Sequence, residues 1–233
     1  GFTSCITHTP IPAPEPIIEA TSAPAIIPQV ITASNVAQLR EIANYGNGYL
    51  RELVWGQNNQ FYFVTTAGIE AYSDLGNTLR YRIQSDERIQ SAALTHDGIR
   101  LVGCTSTEVM VWDSSNGRLI QSQNIPNPED NQFQLLISPD DSIIALRGYQ
   151  KVILMNTSLE ILSTIYSSQE SIINTVVEFS PIQNELFIGF YNQNTRLPLI
   201  FVYDTRSFES IRTIDVATFS ETNNLITSID FIE

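Results

Sequence analysis

Few residue types in this chain could carry chemistry, and their spacing narrows what they could do. The imidazoles are His8 and His96, in unrelated stretches. No H-E-x-x-H, C-x-x-C, phosphate-cradling G-x-x-x-x-G-K or dinucleotide-binding glycine pattern occurs. Asp97, Asp113, Asp140, Asp141 and Asp204 would suit a metal or an acid–base pair of carboxylates if they met. Each sits instead in a turn phrase, such as His96-Asp97-Gly98 or Ser138-Pro139-Asp140-Asp141, where a carboxylate bonds to nearby backbone N–H groups. No catalytic residue, metal ligand or cofactor is therefore assigned. Cys104 reads as a small buried hydrophobe in a strand, and nothing in the sequence pairs it with Cys5. The residues best suited to a polar small ligand are Arg147, Tyr149, Tyr191 and Arg196, which offer donors and aromatic area in loops between second and third strands.

The elements that must hold these loops are short strands. From Ser91 to Asn116, Ala92 and Leu94 alternate with polar neighbours, and His96-Asp97-Gly98 breaks the run. Residues 99–105 and 108–112 then read as two more strands, and Arg118 to Ile125 as a fourth. Four such strands joined by tight turns make one antiparallel sheet, too small to bury its own faces. The phrase returns along the chain. Trp55, Leu94, Ile137, Phe179 and Phe231 occupy one large apolar position, and Tyr72, Trp112, Met155 and Tyr203 another, mostly about 40–45 residues apart. Trp55, Leu94, Trp112, Ile137, Phe179 and Tyr203 are taken as core markers of these repeats.

A period of that length, with a strand-turn phrase at Ser138-Pro139-Asp140-Asp141 and Ser180-Pro181 and a Trp112-Asp113 strand ending, resembles the WD-repeat β-propeller family. The stretch from Ile31 to Gly48 resembles the lead-in before the first blade of many bacterial members. No glycine-histidine pair typical of the family is present. The resemblance implies an all-β fold of four-stranded antiparallel blades over residues 50–83, 89–125, 132–165 and 172–216, with 226–233 opening the next. It also implies that the chain is part of a ring of seven or eight blades. QLREIA at 38–43 would then be an outer strand that closes the ring, although the same residues also suit a short helix.

Residues 1–30 differ from the rest. Pro10, Pro12, Pro14, Pro16, Pro24 and Pro28 lie among Ala, Thr and Ser with no Lys or Arg, which favours an extended tether over a packed element. Thr3-Ser4-Cys5 resembles the end of a bacterial lipoprotein signal, so Cys5 is the candidate lipidation site and the bacterial cell envelope the expected location, with the cytoplasm as the alternative. A net charge of −13 argues against a nucleic-acid partner, and no apolar run is long enough for a membrane-spanning helix. The family resemblance and the absence of a catalytic constellation together imply a non-enzymatic scaffold that displays loops to another protein. A small-ligand, glycan or sensor module is the alternative, as is an enzyme whose catalytic part lies outside this sequence.

Overall fold

The computed structural model describes residues 48–57, 59–73, 78–126, 132–166, 172–195, 197–215, 226 and 228–231. The chain divides into two units, Gly1–Ile42 and Ala43–Glu233. The first, with the expected tether and Cys5, lies outside the described residues, as does the whole 38–43 stretch, and the second carries all that follows.

Four separate four-stranded sheets follow one another along this unit, each a simple up-and-down antiparallel meander. The first contains β1 (Leu50–Trp55), β2 (Phe61–Thr65), β3 (Gly68–Ser73) and β4 (Thr78–Gln84). The second is built from β5 (Ser91–Leu94), β6 (Arg100–Cys104), β7 (Glu108–Asp113) and β8 (Leu119–Asn124). The third has β9 (Gln134–Ile137), β10 (Ile143–Arg147), β11 (Lys151–Asn156) and β12 (Ile161–Tyr166), and the fourth β13 (Ile172–Phe179), β14 (Glu185–Asn192), β15 (Leu197–Asp204) and β16 (Ser210–Asp215). The middle strands are apolar on both faces because each central sheet is covered on both sides.

Side-chain alternation assigns each residue to one neighbour. On β6 and β7, Leu101, Met110 and Trp112 pack with Tyr62, Val64, Ile69 and Ala71 of the first sheet. Their neighbours in sequence, Val102, Cys104, Val109 and Val111, pack with Leu135, Ile144, Leu146, Ile153 and Met155 of the third. The opposite face of the third sheet, including Ile143, Ala145, Val152 and Leu154, meets Val177, Phe179, Leu186, Ile188 and Phe190 of the fourth. Trp112 shows how tight the fit is: its ring lies over Gly103, where an added Cβ would stand 2.8 Å from its Cζ3. Gly103 is thus fixed by space, whereas Gly98, at φ +74° in the turn before β6, is fixed by backbone conformation.

The structure corrects the ring expectation. The sheets stand as four separate units with no closure into a ring or barrel. Residues 226 and 228–231 form no strand, so the further sheet expected at 226–233 does not begin there. That segment instead lies against the fourth sheet, where Phe231 meets Phe187 edge-on with centroids 5.1 Å apart. A repeat of strand and turn phrases specifies a local meander and its two apolar faces, but closure depends on contacts that no single repeat encodes. Trp55 also departs from its expected core position: it is 63% exposed at the end of β1, tilted against Phe61. Of the other markers, Trp112, Ile137 and Phe179 are buried, while Leu94 and Tyr203 are half-buried at the edges of the core. Among the described residues no helix is long and apolar enough to cross a membrane.

Trp112 is 3% exposed, so Trp112→Ala should lower unfolding free energy by about 3–5 kcal/mol through lost apolar transfer and a residual cavity. Urea unfolding followed by circular dichroism measures this, and a change below about 0.5 kcal/mol would contradict the packing described.

Candidate functional site

The first strands β1, β5, β9 and β13 lie side by side but share no β ladder. Backbone groups on their facing edges therefore need other partners. At the end where these strands begin, side chains supply them. Glu52 Oε2 accepts from Ser91 Oγ and from Ala92 N, both at 3.0 Å, which ties the first sheet to the second. Ser91 Oγ in turn accepts from Leu135 N at 3.1 Å, and Gln90 Oε1 accepts from Phe133 N, which ties the second to the third. At the last junction Arg147 Nη1 donates to Thr175 O, Asn174 Nδ2 donates to Gly148 O, and Asn174 N donates to Tyr149 O.

These strand starts surround a polar cavity of about 250 Å³, walled by Arg51, Glu52, Gln90, Ser91, Gln134 and Arg147 among others. Arg147 sets its character. Burial pushes its pKa down, because desolvation disfavours the charged form. No carboxylate offsets this charge: the ion pairs among the described residues are Arg82–Glu70, His96–Asp141 and Arg212–Glu185. Its Nε is buried with no hydrogen-bond partner, and so is Asn174 Oδ1 across the same junction. Buried polar atoms are nearly always satisfied, so each of these two has room for a further hydrogen-bond partner. Glu52 lines the same cavity, and its hydrogen bonds among the described residues all go to Oε2, which leaves Oε1 unbonded.

This arrangement can bind and orient. It holds no imidazole to activate Ser91, whose hydroxyl is committed to Glu52. Cys104, fully buried, has its thiol pushed up to about 12 by desolvation, which leaves it inert as a nucleophile.

Of the four loop residues expected to meet a ligand, Arg147 lines the cavity. Tyr149 is exposed just beyond it, its hydroxyl accepting from Gln193 Nε2 at 3.0 Å. Tyr191 is half-buried near the end of β14, opposite Ile173 and Pro198. Arg196, like Cys5, lies outside the described residues. The residues that sequence reading missed are Arg51, Glu52, Gln90, Ser91 and Gln134. A signal for them was present: polar residues recur at the start of successive first strands, as Glu52, Gln90-Ser91, Gln132 to Gln134 and Asn174, where an apolar pattern has no need of them.

The opposite ends of the strands hold the aspartates. Asp97 accepts from Thr95 Oγ1 and Ile99 N, Asp113 from Ser115, Asp140 from Ser138 and Ser142, and Asp204 from the backbone of Arg206 and Ser207. Asp141 differs, because its carboxylate crosses to the second sheet. Oδ1 accepts from His96 N at 2.7 Å and from His96 Nδ1 at 2.8 Å, while Oδ2 accepts from Asp97 N at 3.0 Å. Gln57 Nε2 donates to His96 O at 3.0 Å from the first sheet, so one turn is held from both sides. Among the described residues no group of three or more His, Cys, Asp or Glu side chains could hold a metal ion.

No family model matches the chain, and no curated protein matches it. Among solved structures, a chain of the Kuenenia stuttgartiensis hydrazine synthase superposes with a TM-score of 0.58 at 15% identity. The match covers 75% of this chain and 52% of that one, so the present chain spans about half the length of its match. At this identity the likeness shows a shared fold. It corrects the WD-repeat resemblance, which neither a family match nor a closed ring supports. The non-enzymatic protein-interaction scaffold was inferred from that resemblance and falls with it, since the fold is also that of an enzyme chain.

Hydrogen bonds hold the carboxyls of Asp97, Asp113, Asp140 and Asp204 below their usual range, led by side-chain hydroxyls for the first three and by backbone N–H groups for Asp204. Their unfolded counterparts titrate near pH ~4. The unfolded chain thus binds more protons between the folded and unfolded values, and stability rises with pH through that window. Urea midpoints should therefore be level near neutrality and fall as pH drops below about 5. Asp140→Asn should flatten the slope, and a midpoint unchanged down to about pH 3 would contradict the turn geometry.

Proposed function

We propose that this chain is a small-molecule-binding module whose polar cavity receives an anionic group on the guanidinium of Arg147. One observation carries the reading: a partly desolvated guanidinium with no carboxylate partner among the described residues, whose one hydrogen bond goes from Nη1 to Thr175 O and leaves Nη2 unbonded. Burying a charge without compensation is costly, and an oxyanion meeting the guanidinium at Nη2 would offset part of that cost by a charge-assisted hydrogen bond. The bond from Nη1 to Thr175 O already fixes the plane of the group, so little side-chain freedom is lost on binding. Arg51, which also lines the cavity, adds positive potential.

The volume suits a compact ligand. At roughly 30 Å³ per water, about eight waters fill it, which fits a molecule of similar heavy-atom number. The likeness to a chain of a hydrazine synthase supports a second use of the same cavity, as the substrate- or product-holding part of a larger enzyme. The Thr3-Ser4-Cys5 sequence and the proline-rich run after it support a location outside a membrane on a lipid anchor. Cys5→Ser in the natural precursor should then remove acyl label and move the protein to the soluble fraction. Unchanged membrane fractionation would contradict that anchor.

Calorimetric titration at low ionic strength with acetate and inorganic phosphate tests the binding reading. The protein should bind at least one of them saturably. Arg147→Gln should weaken binding by about ten- to a hundredfold, the range for losing a charged hydrogen-bond partner, with the urea midpoint little changed. No binding at millimolar concentrations, or equal binding by Arg147→Gln, would overturn it.

A further inference from the structure

The cavity has a second charged wall, and it is of opposite sign. Glu52 is anchored by Ser91 Oγ and Ala92 N through Oε2, and no bond to its Oε1 is present among the described residues. Arg147 and Glu52 line the same 250 Å³ space, yet no ion pair within 4.0 Å joins them. Each is held in place by a different neighbour: Glu52 by the second sheet, Arg147 by Thr175 of the fourth. Arg147 and Glu52, each fixed by a neighbouring sheet, share this cavity without neutralising each other and make a dipolar site, with Arg51, an exposed residue of β1, as a further cation on its lining. The complementary ligand carries both charges itself.

We propose that the cavity recognises an α-amino acid in its zwitterionic form. This rests on the reading of Arg147 as the anion anchor and names the ligand class of that same site. The α-carboxylate takes Nη2 of Arg147, which carries no hydrogen bond among the described residues, in a charge-assisted hydrogen bond. The α-ammonium, with three donors, is met by Glu52 Oε1. Because both protein groups are preorganised by bonds to other sheets, the ligand meets fixed charges, and a molecule that carries one charge leaves the other wall unpaired. The amides of Gln90 and Gln134 make the remainder of the wall polar, which favours a small polar side chain over a branched apolar one. A compact amino acid such as serine is within the volume already given.

The test compares two ligands that differ in the amino group alone. L-serine and 3-hydroxypropanoate, which is serine without its amine, are titrated calorimetrically at pH 7 and low ionic strength into the unmodified chain, Glu52→Gln and Arg147→Gln. Ethanolamine, which lacks the carboxylate, is the third probe. The unmodified chain should bind L-serine on the order of tenfold or more tighter than either analogue. Glu52→Gln should remove that preference, weakening L-serine by a similar factor while leaving 3-hydroxypropanoate equal or tighter. Arg147→Gln should weaken both carboxylates. Glutamine keeps a carbonyl for Ser91 and Ala92, and an unchanged far-UV spectrum and urea midpoint establish that Glu52→Gln is folded. If that variant is unstable, the preference of the unmodified chain for L-serine over 3-hydroxypropanoate decides alone. Equal binding of L-serine and 3-hydroxypropanoate overturns the zwitterion assignment and leaves the anion site standing. Failure of every carboxylate to bind the unmodified chain overturns both.

Discussion

Each four-stranded sheet in this protein carries apolar side chains on faces that it cannot cover by itself, and everything else follows from the need to cover them. On the second sheet Leu101 and Trp112 face one neighbour while Val102 and Val111 face the other, so one meander contributes to two cores at once. Each fully buried aliphatic side chain is worth roughly 1.5–3 kcal/mol, so the stack is held by many such contacts. Packing of this kind sets the spacing between sheets but says little about how one slides on the next. The approach of Trp112 to Gly103 removes part of that freedom inside a sheet, and the polar contacts at the two ends of the first strands remove the rest between sheets.

Those polar contacts explain why a binding site arises where it does. Side-by-side strands that share no ladder leave edge groups to be satisfied one at a time, and Glu52, Ser91, Gln90 and Asn174 do this at one end. At the other end Gln57 and Asp141 clamp the backbone around His96. The two ends are not equivalent. At the Asp141 end the carboxylate is hydrogen-bonded by His96 and Asp97, and Asp97, Asp113, Asp140 and Asp204 are held by their own turns. At the Glu52 end the bridging groups are charged and incompletely used, with Arg147 Nε and Asn174 Oδ1 left over after the sheets have been joined. A structure-building role accounts for Nη1 of Arg147 and Oε2 of Glu52; it does not account for the atoms beside them.

The sequence made some of this readable and concealed the rest for identifiable reasons. Alternation and Asp-Gly or Pro-Asp turns identified short antiparallel strands, because the period of two and the turn chemistry are local properties. Asp97, Asp113, Asp140 and Asp204 sit in the turns that their sequence phrases indicate, and Asp141 is the exception: its partners, His96 and Asp97, lie in a different sheet. Ring closure and family membership were misread, since a period of strand phrases is shared by any arrangement of stacked meanders. Trp55 matched the apolar position of its repeat yet is exposed, because it belongs to the first sheet, on the face turned away from the second. Arg147 was singled out as a donor in a loop, but its meaning lies in a missing partner, and sequence patterns do not register missing partners.

The account stands or falls on the unbonded Nη2 of one guanidinium. Its most direct measurement is the arginine Nε–Hε region of a ¹H–¹⁵N spectrum, with the Arg147 signal assigned by its loss in Arg147→Gln, recorded while L-serine is added. The account predicts that the Arg147 Nε–Hε signal alone shifts and saturates, as the guanidinium acquires a carboxylate acceptor at Nη2. An Arg147 signal that stays in place through saturating ligand, or that moves together with those of the exposed arginines, would contradict it.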